Sequence, residues 1–411
     1  MNSIRICLAA ALAGLMIIDG AQAATISTVA TFNGSNGQFP LSGLIADAAG
    51  NLYGTTSTGG PSGFGSVYKL NPSTGTLTTL ASFNSSSGFA PSYGNLLADG
   101  VGNLYGTTSI GGALSAGTVF KLNPTTGAVT TLASFSSATT GSSANASLVA
   151  DSAGNLYGTT TSGGAGSFGT VFKLNPIVGA LTTLGSFDNS TGLPPESPLV
   201  IDAAGNLYGT TTQSGAGNWG TVFKLPPGGG TPATLVAFNN TNGTFPEGGL
   251  IADHAGNLYG VTQGGGTSGA GEVFKLNLAT NTFSVLASFN GTNGTFPQGG
   301  LIADRVGNLY GTTQAGGANG GGTVFKVNPS TGAITVLASF ATSSASVSYA
   351  PLMADAAGNL WGTTHDGGAN SDGTIFEVTG TGFVVTPEPA SLTLLATGLI
   401  GVIALRRRQR R

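Results

Sequence analysis

Charge, histidine and cysteine are all scarce in this chain of 411 residues. Only 7% of it is Asp, Glu, Lys or Arg, there are two histidines, and the single cysteine, Cys7, lies near the N-terminus. One thiol cannot build a disulfide framework, and no Cys/His spacing points to zinc. No G-x-S-x-G elbow occurs, and glycine runs such as residues 264–266 lack the Lys-Ser/Thr and the following helix of a phosphate loop. Helical periodicity is missing too. Apolar positions do not recur at a spacing of about 3.6 residues, and 70 glycines would penalise helices throughout.

What is present is repetition. The string DAAGNLYG at Asp47 returns at Asp99, Asp151, Asp202, Asp253, Asp304 and, as DAAGNLWG, at Asp355, with spacings of 52, 52, 51, 51, 51 and 51 residues. Such regularity implies one structural unit in seven copies. The second copy shows its parts: residues 95–99 (NLLAD), a Gly-Val-Gly-Asn turn, residues 104–108 (LYGTT), a Gly-rich loop, residues 118–122 (TVFKL), an NPTTG turn, and residues 128–135 (AVTTLASF). The runs are rich in β-branched and aromatic residues, as strands prefer. Four antiparallel strands per unit make a propeller blade, so the expected fold is all-β, a seven-bladed β-propeller over residues 24–381.

Ring closure is also legible. The sequence TISTVATF at residues 25–32 aligns with TLTTLASF from Thr76, a fourth strand, whereas the seventh copy has three strands followed by a short FVV. Residues 25–32 are therefore expected to supply the outermost strand of the last blade and remove an open edge. The competing closure uses residues 382–386.

The two ends carry different signals. Residues 1–23 read as a secretory signal peptide: Arg5, an apolar core over residues 6–18, and Ala21-Gln22-Ala23 as an A-x-A cleavage site. At the other end Pro387-Glu388-Pro389 precedes an apolar run, residues 390–405, and an arginine-rich terminus. As a helix at about 1.5 Å per residue this run would reach about 24 Å. That suffices for a transmembrane helix when flanking arginines snorkel, with the basic end cytoplasmic and the propeller outside.

The string Pro-Glu-Pro, a short apolar helix and an Arg cluster resemble the PEP-CTERM sorting signal of Gram-negative bacteria. The resemblance implies that residues 382–411 are a sorting segment, with Pro387, Glu388 and Pro389 read by an exosortase-type processing enzyme. It also implies an exported, membrane-anchored precursor in the inner membrane, destined for the cell surface or extracellular matrix. The repeat resembles the GloVer tandem-repeat family, named for Gloeobacter and Verrucomicrobia. Its signature stands here as GTVFKL at Gly117, Gly169 and Gly220, with variants at Gly65, Gly271, Gly322 and Gly373. That resemblance implies no catalytic residue.

Over residues 25–381 there are seven Lys or Arg against fourteen Asp or Glu, a net charge of −7. A charge-poor, mildly acidic surface argues against nucleic acid or anionic lipid as the propeller's partner. The seven repeated aspartates could ring a calcium ion, but an Asp-x-x-Gly-Asn turn, with Asp accepting backbone N–H bonds, explains every copy without a metal or other cofactor. The repeated lysine of VFKL is expected to neutralise those aspartates on the same rim, a pattern that Glu377 breaks. His254 and His365 are expected on opposite faces, too far apart for a catalytic pair. Glu196 and Glu247 occupy matching points of adjacent blades, an acid pair conceivable for glycan hydrolysis. Gln298 replaces them in the next blade, as suits a solvated loop position.

Variation concentrates in the long loops of one face. Phe64, Phe168 and Trp219 stand in the loops between second and third strands, and Tyr93, Phe245 and Phe296 in the inter-blade segments. Aromatic faces beside Asn, Ser and Thr are what sugar recognition needs, although such rings could equally plug gaps between blades. The reading is a non-catalytic exported surface protein, with extracellular polysaccharide as candidate ligand for Phe64, Phe168, Trp219, Tyr93, Phe245 and Phe296. The alternatives are a glycan-active hydrolase or lyase on the same ring and a purely structural matrix component.

Overall fold

The computed structural model describes residues 24–91, 94–341 and 349–385. The signal peptide, Tyr93, the Pro387-Glu388-Pro389 motif and the apolar run 390–405 lie outside the described residues. Among the described residues no helix is long and apolar enough to cross a membrane.

Seven four-stranded antiparallel sheets form, six of them each from one copy of the repeat and the seventh from three strands of the last copy with a strand from the N-terminal end. A first strand, β1 (Thr25–Thr31), precedes the blades, and blade one then contains β2 (Ile45–Ala46), β3 (Leu52–Thr56), β4 (Ser66–Asn71) and β5 (Thr76–Ser82), paired in chain order. In blade seven the order ends differently: Met353–Ala354, Leu360–Thr364 and Thr374–Thr379 are followed by β1. Thr25 pairs with Thr379 and Thr31 with Thr374, and the Phe32 N–H donates to Gly373 O at 3.0 Å. The N-terminal strand thus closes the ring.

Residues 382–385, from the segment named as the competing closure, do something else. After Thr379 the chain turns under blade six. Arg305 donates its N–H to Val384 O at 2.9 Å, and the Phe383 ring packs on Tyr310 with centroids 4.9 Å apart. Both chain ends therefore leave the propeller on the face of the short DxxGN turns.

One expectation needs correction. The innermost strand, read as five residues in copy two, is two residues long, Leu97–Ala98. Its N-terminal flank contacts the blades on either side instead of a ladder partner: Asn95 N–H donates to Ser147 Oγ of the next blade, and Gly43 N–H of the preceding blade donates to Asn95 Oδ1, both at 2.7 Å. Its C-terminal flank is consumed by the aspartate turn.

Blades are joined by aromatic pairs. The Phe that ends each fourth strand meets the third-strand aromatic of the next blade: Phe83 and Phe120 edge-on at 4.9 Å, Phe135 and Phe172 likewise, and Phe32 and Tyr68 at 5.0 Å across the closure. All are buried. Such pairs contribute about 0.5–1.5 kcal/mol each beyond their area burial. The glycine of LYGTT is required by this packing, since a Cβ on Gly106 would lie 2.6 Å from Phe120 Cζ.

Candidate functional site

On the loop face five of the junctions between blades are stitched by one residue in left-handed backbone. Phe39 (φ 56°), Ala90 (52°), Ser143 (59°), Phe245 (53°) and Phe296 (58°) hold this position. Each donates its N–H to a loop carbonyl of the preceding blade, as Phe245 does to Trp219 at 3.1 Å and Phe296 to Ala270 at 3.0 Å. Each also accepts at its own carbonyl: Gln263 N–H reaches Phe245 O at 3.0 Å and Gln314 N–H reaches Phe296 O at 3.2 Å. Left-handed backbone is costly for a bulky side chain and persists only where surrounding bonds over-determine it. The aromatic rings are consequently held in fixed places.

The structure distributes the candidate rings unevenly. Trp219 is 37% exposed and meets half-buried Phe245 at 5.3 Å, T-shaped. Phe296, in the next junction, is 43% exposed. Phe64, equally exposed, pairs with Phe89 at 5.3 Å across the first junction. Phe168 is half-buried against the Val171 and Phe187 core.

Pro246-Glu247 and Pro297-Gln298 directly follow two of these residues, and Pro195-Glu196 follows Pro194, whose carbonyl accepts the Thr212 N–H at 3.1 Å in the equivalent place; the three pairs stand on adjacent blades four, five and six. Glu247 is held firmly. Its N–H donates to Phe245 O at 2.9 Å, and the preceding Pro246 carbonyl accepts the Thr210 hydroxyl of blade four at 2.6 Å. Gln298, 8% exposed, donates from Nε2 to Glu247 Oε2, while its Oε1 is buried with no hydrogen-bond partner. Burial, the neighbouring Glu196 charge and, in opposition, the Gln298 bond leave the Glu247 carboxyl pushed up to about 7. Burial also raises Glu196. The expectation of a solvated loop position is thereby overturned. Glu196 and Glu247 are partly buried and Gln298 is buried, so carboxylates that look interchangeable along the sequence share one poorly hydrated place. Alignment of the repeats does hold the signal: three residues before the innermost Leu the copies read Leu41, Tyr93, Asn145, Glu196, Glu247, Gln298 and Tyr349.

The opposite face is structural. Asp151 Oδ1 accepts the N–H groups of Ala153 and Asn155, and Oδ2 accepts Asn155 Nδ2 at 2.7 Å and the Tyr157 hydroxyl at 2.9 Å. Each equivalent aspartate does the same, with Trp361 Nε1 replacing the hydroxyl at Asp355. Four donors fill the carboxylate, as a turn hub requires.

The lysine reading is corrected: among the described residues no lysine forms an ion pair, and Lys173 Nζ instead lies 5.5 Å above the Tyr157 ring. The tyrosine already occupies the aspartate, so the ammonium finds the ring face. Five further blades repeat the arrangement.

His254 sits in the turn of blade five, and His365 lies on the loop face. His365 has a carboxylate neighbour, Asp366, with Nδ1 and Oδ1 2.8 Å apart, and stacks on Phe39 at 4.7 Å. A further residue departs from its repeat. Glu272 replaces the threonine whose hydroxyl pairs with another in most blades, for example Thr160 with Thr170 at 2.9 Å. It is 2% exposed and accepts the Ser288 hydroxyl at Oε1.

Fold and site together define a seven-bladed repeat propeller with a polar cluster on its loop face. The chain belongs to the Gloeobacter/Verrucomicrobia repeat family, which matches residues 17–201 and 197–388, and residues 385–408 match the PEP-CTERM protein-sorting motif. The sorting motif marks it as an exported surface protein of a Gram-negative bacterium, with an exosortase as processing partner. No curated protein matches.

Among solved structures it resembles the extracellular domain of a putative hybrid two-component system from B. thetaiotaomicron, with a TM-score of 0.57 and 11% identity over 85% of this chain. The chain spans 39% of that protein's length. It also resembles oligogalacturonate lyase from Vibrio parahaemolyticus, TM-score 0.56 and 10% identity, covering 86% of this chain and 93% of that one. An oligogalacturonate lyase in complex with manganese gives a TM-score of 0.54 and 11% identity, covering 86% and 92%. At these identities the likeness is one of fold.

Proposed function

We propose that the protein is a non-catalytic surface propeller that engages extracellular polysaccharide on its loop face. The observation that carries this reading is the sector of blades four to six, which holds exposed Trp219 and Phe296 together with half-buried Glu196 and Glu247 and buried Gln298. Fixed aromatic platforms offer sugar rings an apolar contact at little ordering cost, and the carboxylates and amide accept and donate to hydroxyls. Orientation favours the same face. The sorting segment follows Val384, which is bonded to the turn face, so an anchored propeller would direct its loops away from the membrane.

One observation favours a second reading, a glycan-active enzyme. A carboxyl pushed up to about 7 beside another carboxyl is poised to hold or release a proton near neutral pH. Incubating the full chain with an array of acidic and neutral polysaccharides, then analysing bound material for new ends, separates the two. Binding that is weakened at least tenfold by Trp219→Ala, with intact polymer recovered, is expected. Shortened or unsaturated products that vanish with Glu247→Gln would establish the enzyme, and no binding at all would leave a structural role.

A further inference from the structure

We propose that Glu196, Glu247 and Gln298 form a binding site for a hard divalent cation, calcium being the fitting ion, at the inner edge of blades four to six. Glu196 and Glu247 hold matching positions of adjacent repeats, near enough that the charge of Glu196 acts on Glu247, and neither has a cationic partner among the described residues. Like charges in a poorly hydrated place repel unless something neutralises them. The second, independent observation is the Gln298 amide. It is more than nine-tenths buried, its nitrogen is bonded to Glu247, and its oxygen has no partner. That oxygen belongs to the same amide whose nitrogen is bonded to Glu247, about 2.3 Å from that nitrogen by covalent geometry. A buried acceptor left unmade is costly, and a cation is the one partner that would satisfy it and both carboxylates at once.

The donor set is all oxygen: two carboxylates and one amide carbonyl. That chemistry suits calcium or manganese and disfavours zinc or copper, which prefer imidazole and thiolate. Among the described residues no group of three His, Cys, Asp or Glu side chains gathers, so the amide is what completes this site. Calcium takes six to eight oxygens, whereas three side chains supply about three to five. Positions are left open, and sugar hydroxyls or uronate carboxylates are suitable occupants. This last step rests on the polysaccharide reading, while ion binding does not.

The test is calorimetric titration of the purified full chain with calcium chloride and with manganese chloride at pH 7.5, paired with melting curves. A single site per chain is expected, together with a rise of several degrees in melting temperature that a chelator reverses. Glu247→Gln should weaken the ion at least tenfold. Gln298→Leu, which copies Leu41 of blade one, should weaken it about threefold to tenfold while leaving the metal-free fold intact. Asp151→Asn should leave ion binding unchanged. No heat of binding to wild type, or binding retained in Glu247→Gln and lost in Asp151→Asn, would overturn the proposal. Ion binding without any glycan binding would refute the ligand step alone.

Discussion

The Tyr157 hydroxyl donates to Asp151 Oδ2 at 2.9 Å, and that bond explains why the lysine one strand away stacks on the ring instead of pairing with the acid. The aspartate holds its turn through four donors. Burial raises its carboxyl, but the bonds from Asn155, Tyr157 and Ala153 outweigh burial and hold it below the usual carboxylate range. Asp151→Ala should therefore destabilise the protein by about 1–3 kcal/mol, since hydrogen bonds to a charged group are lost. Chemical denaturation reads this directly. A lowered acid stabilises the fold above its unfolded-state pKa and loses that contribution as the pH falls. The difference between wild type and variant should accordingly shrink below about pH 4.

Glu247 has the opposite sign. Its folded pKa is raised, so its neutral form belongs to the native state. That contribution is complete below about 4.3, the ordinary glutamate value, and is lost as the pH rises through about 7. In chelator-treated buffer the melting temperature should fall between pH 5 and pH 8, and Glu247→Gln should flatten the trend. An unchanged slope in the variant would show that other groups set the pH dependence.

How much of this was legible depends on whether a residue repeats its neighbours. Seven copies of Asp-x-x-Gly-Asn fix the blade count, and the alignment of residues 25–32 with Thr76 onward places the closing strand, because a fourth strand missing at one end must be supplied by the other. Burial across blades was not legible. Glu196 and Glu247 lie about fifty residues apart, and only the closed ring shows that they share one desolvated place. The lysines were misread for a related reason: the sequence places them on the same rim as the aspartates but does not reveal that Tyr157 and its equivalents stand between.

Glu272 offers a test of repeat logic. Burial raises its carboxyl, which the Ser288 hydroxyl and the Thr267 backbone oppose. Replacing it with the threonine found at Thr118, Thr170 and Thr221 should allow the hydroxyl pair with Thr262 and stabilise by about 1–2 kcal/mol near neutral pH, where ionising the glutamate is most costly. Differential scanning calorimetry at pH 7.5 and at pH 4.5 should show the gain larger at the higher pH.

Closure gives the most severe outcome. Removing residues 25–32 takes away the strand that pairs with Thr374–Thr379 and also Phe32, whose ring lies edge-on to Tyr68 at 5.0 Å. The first loss bares an edge with unpaired N–H and C=O groups, a template for intermolecular pairing. The second empties an aromatic position between blades seven and one, where truncation costs about 3–5 kcal/mol. Phe32→Ala isolates the second loss, because the strand remains. The point variant should stay monomeric by light scattering with a lowered melting temperature, whereas the deletion should aggregate. If both behaved alike, aromatic packing rather than edge protection would be what closes the ring.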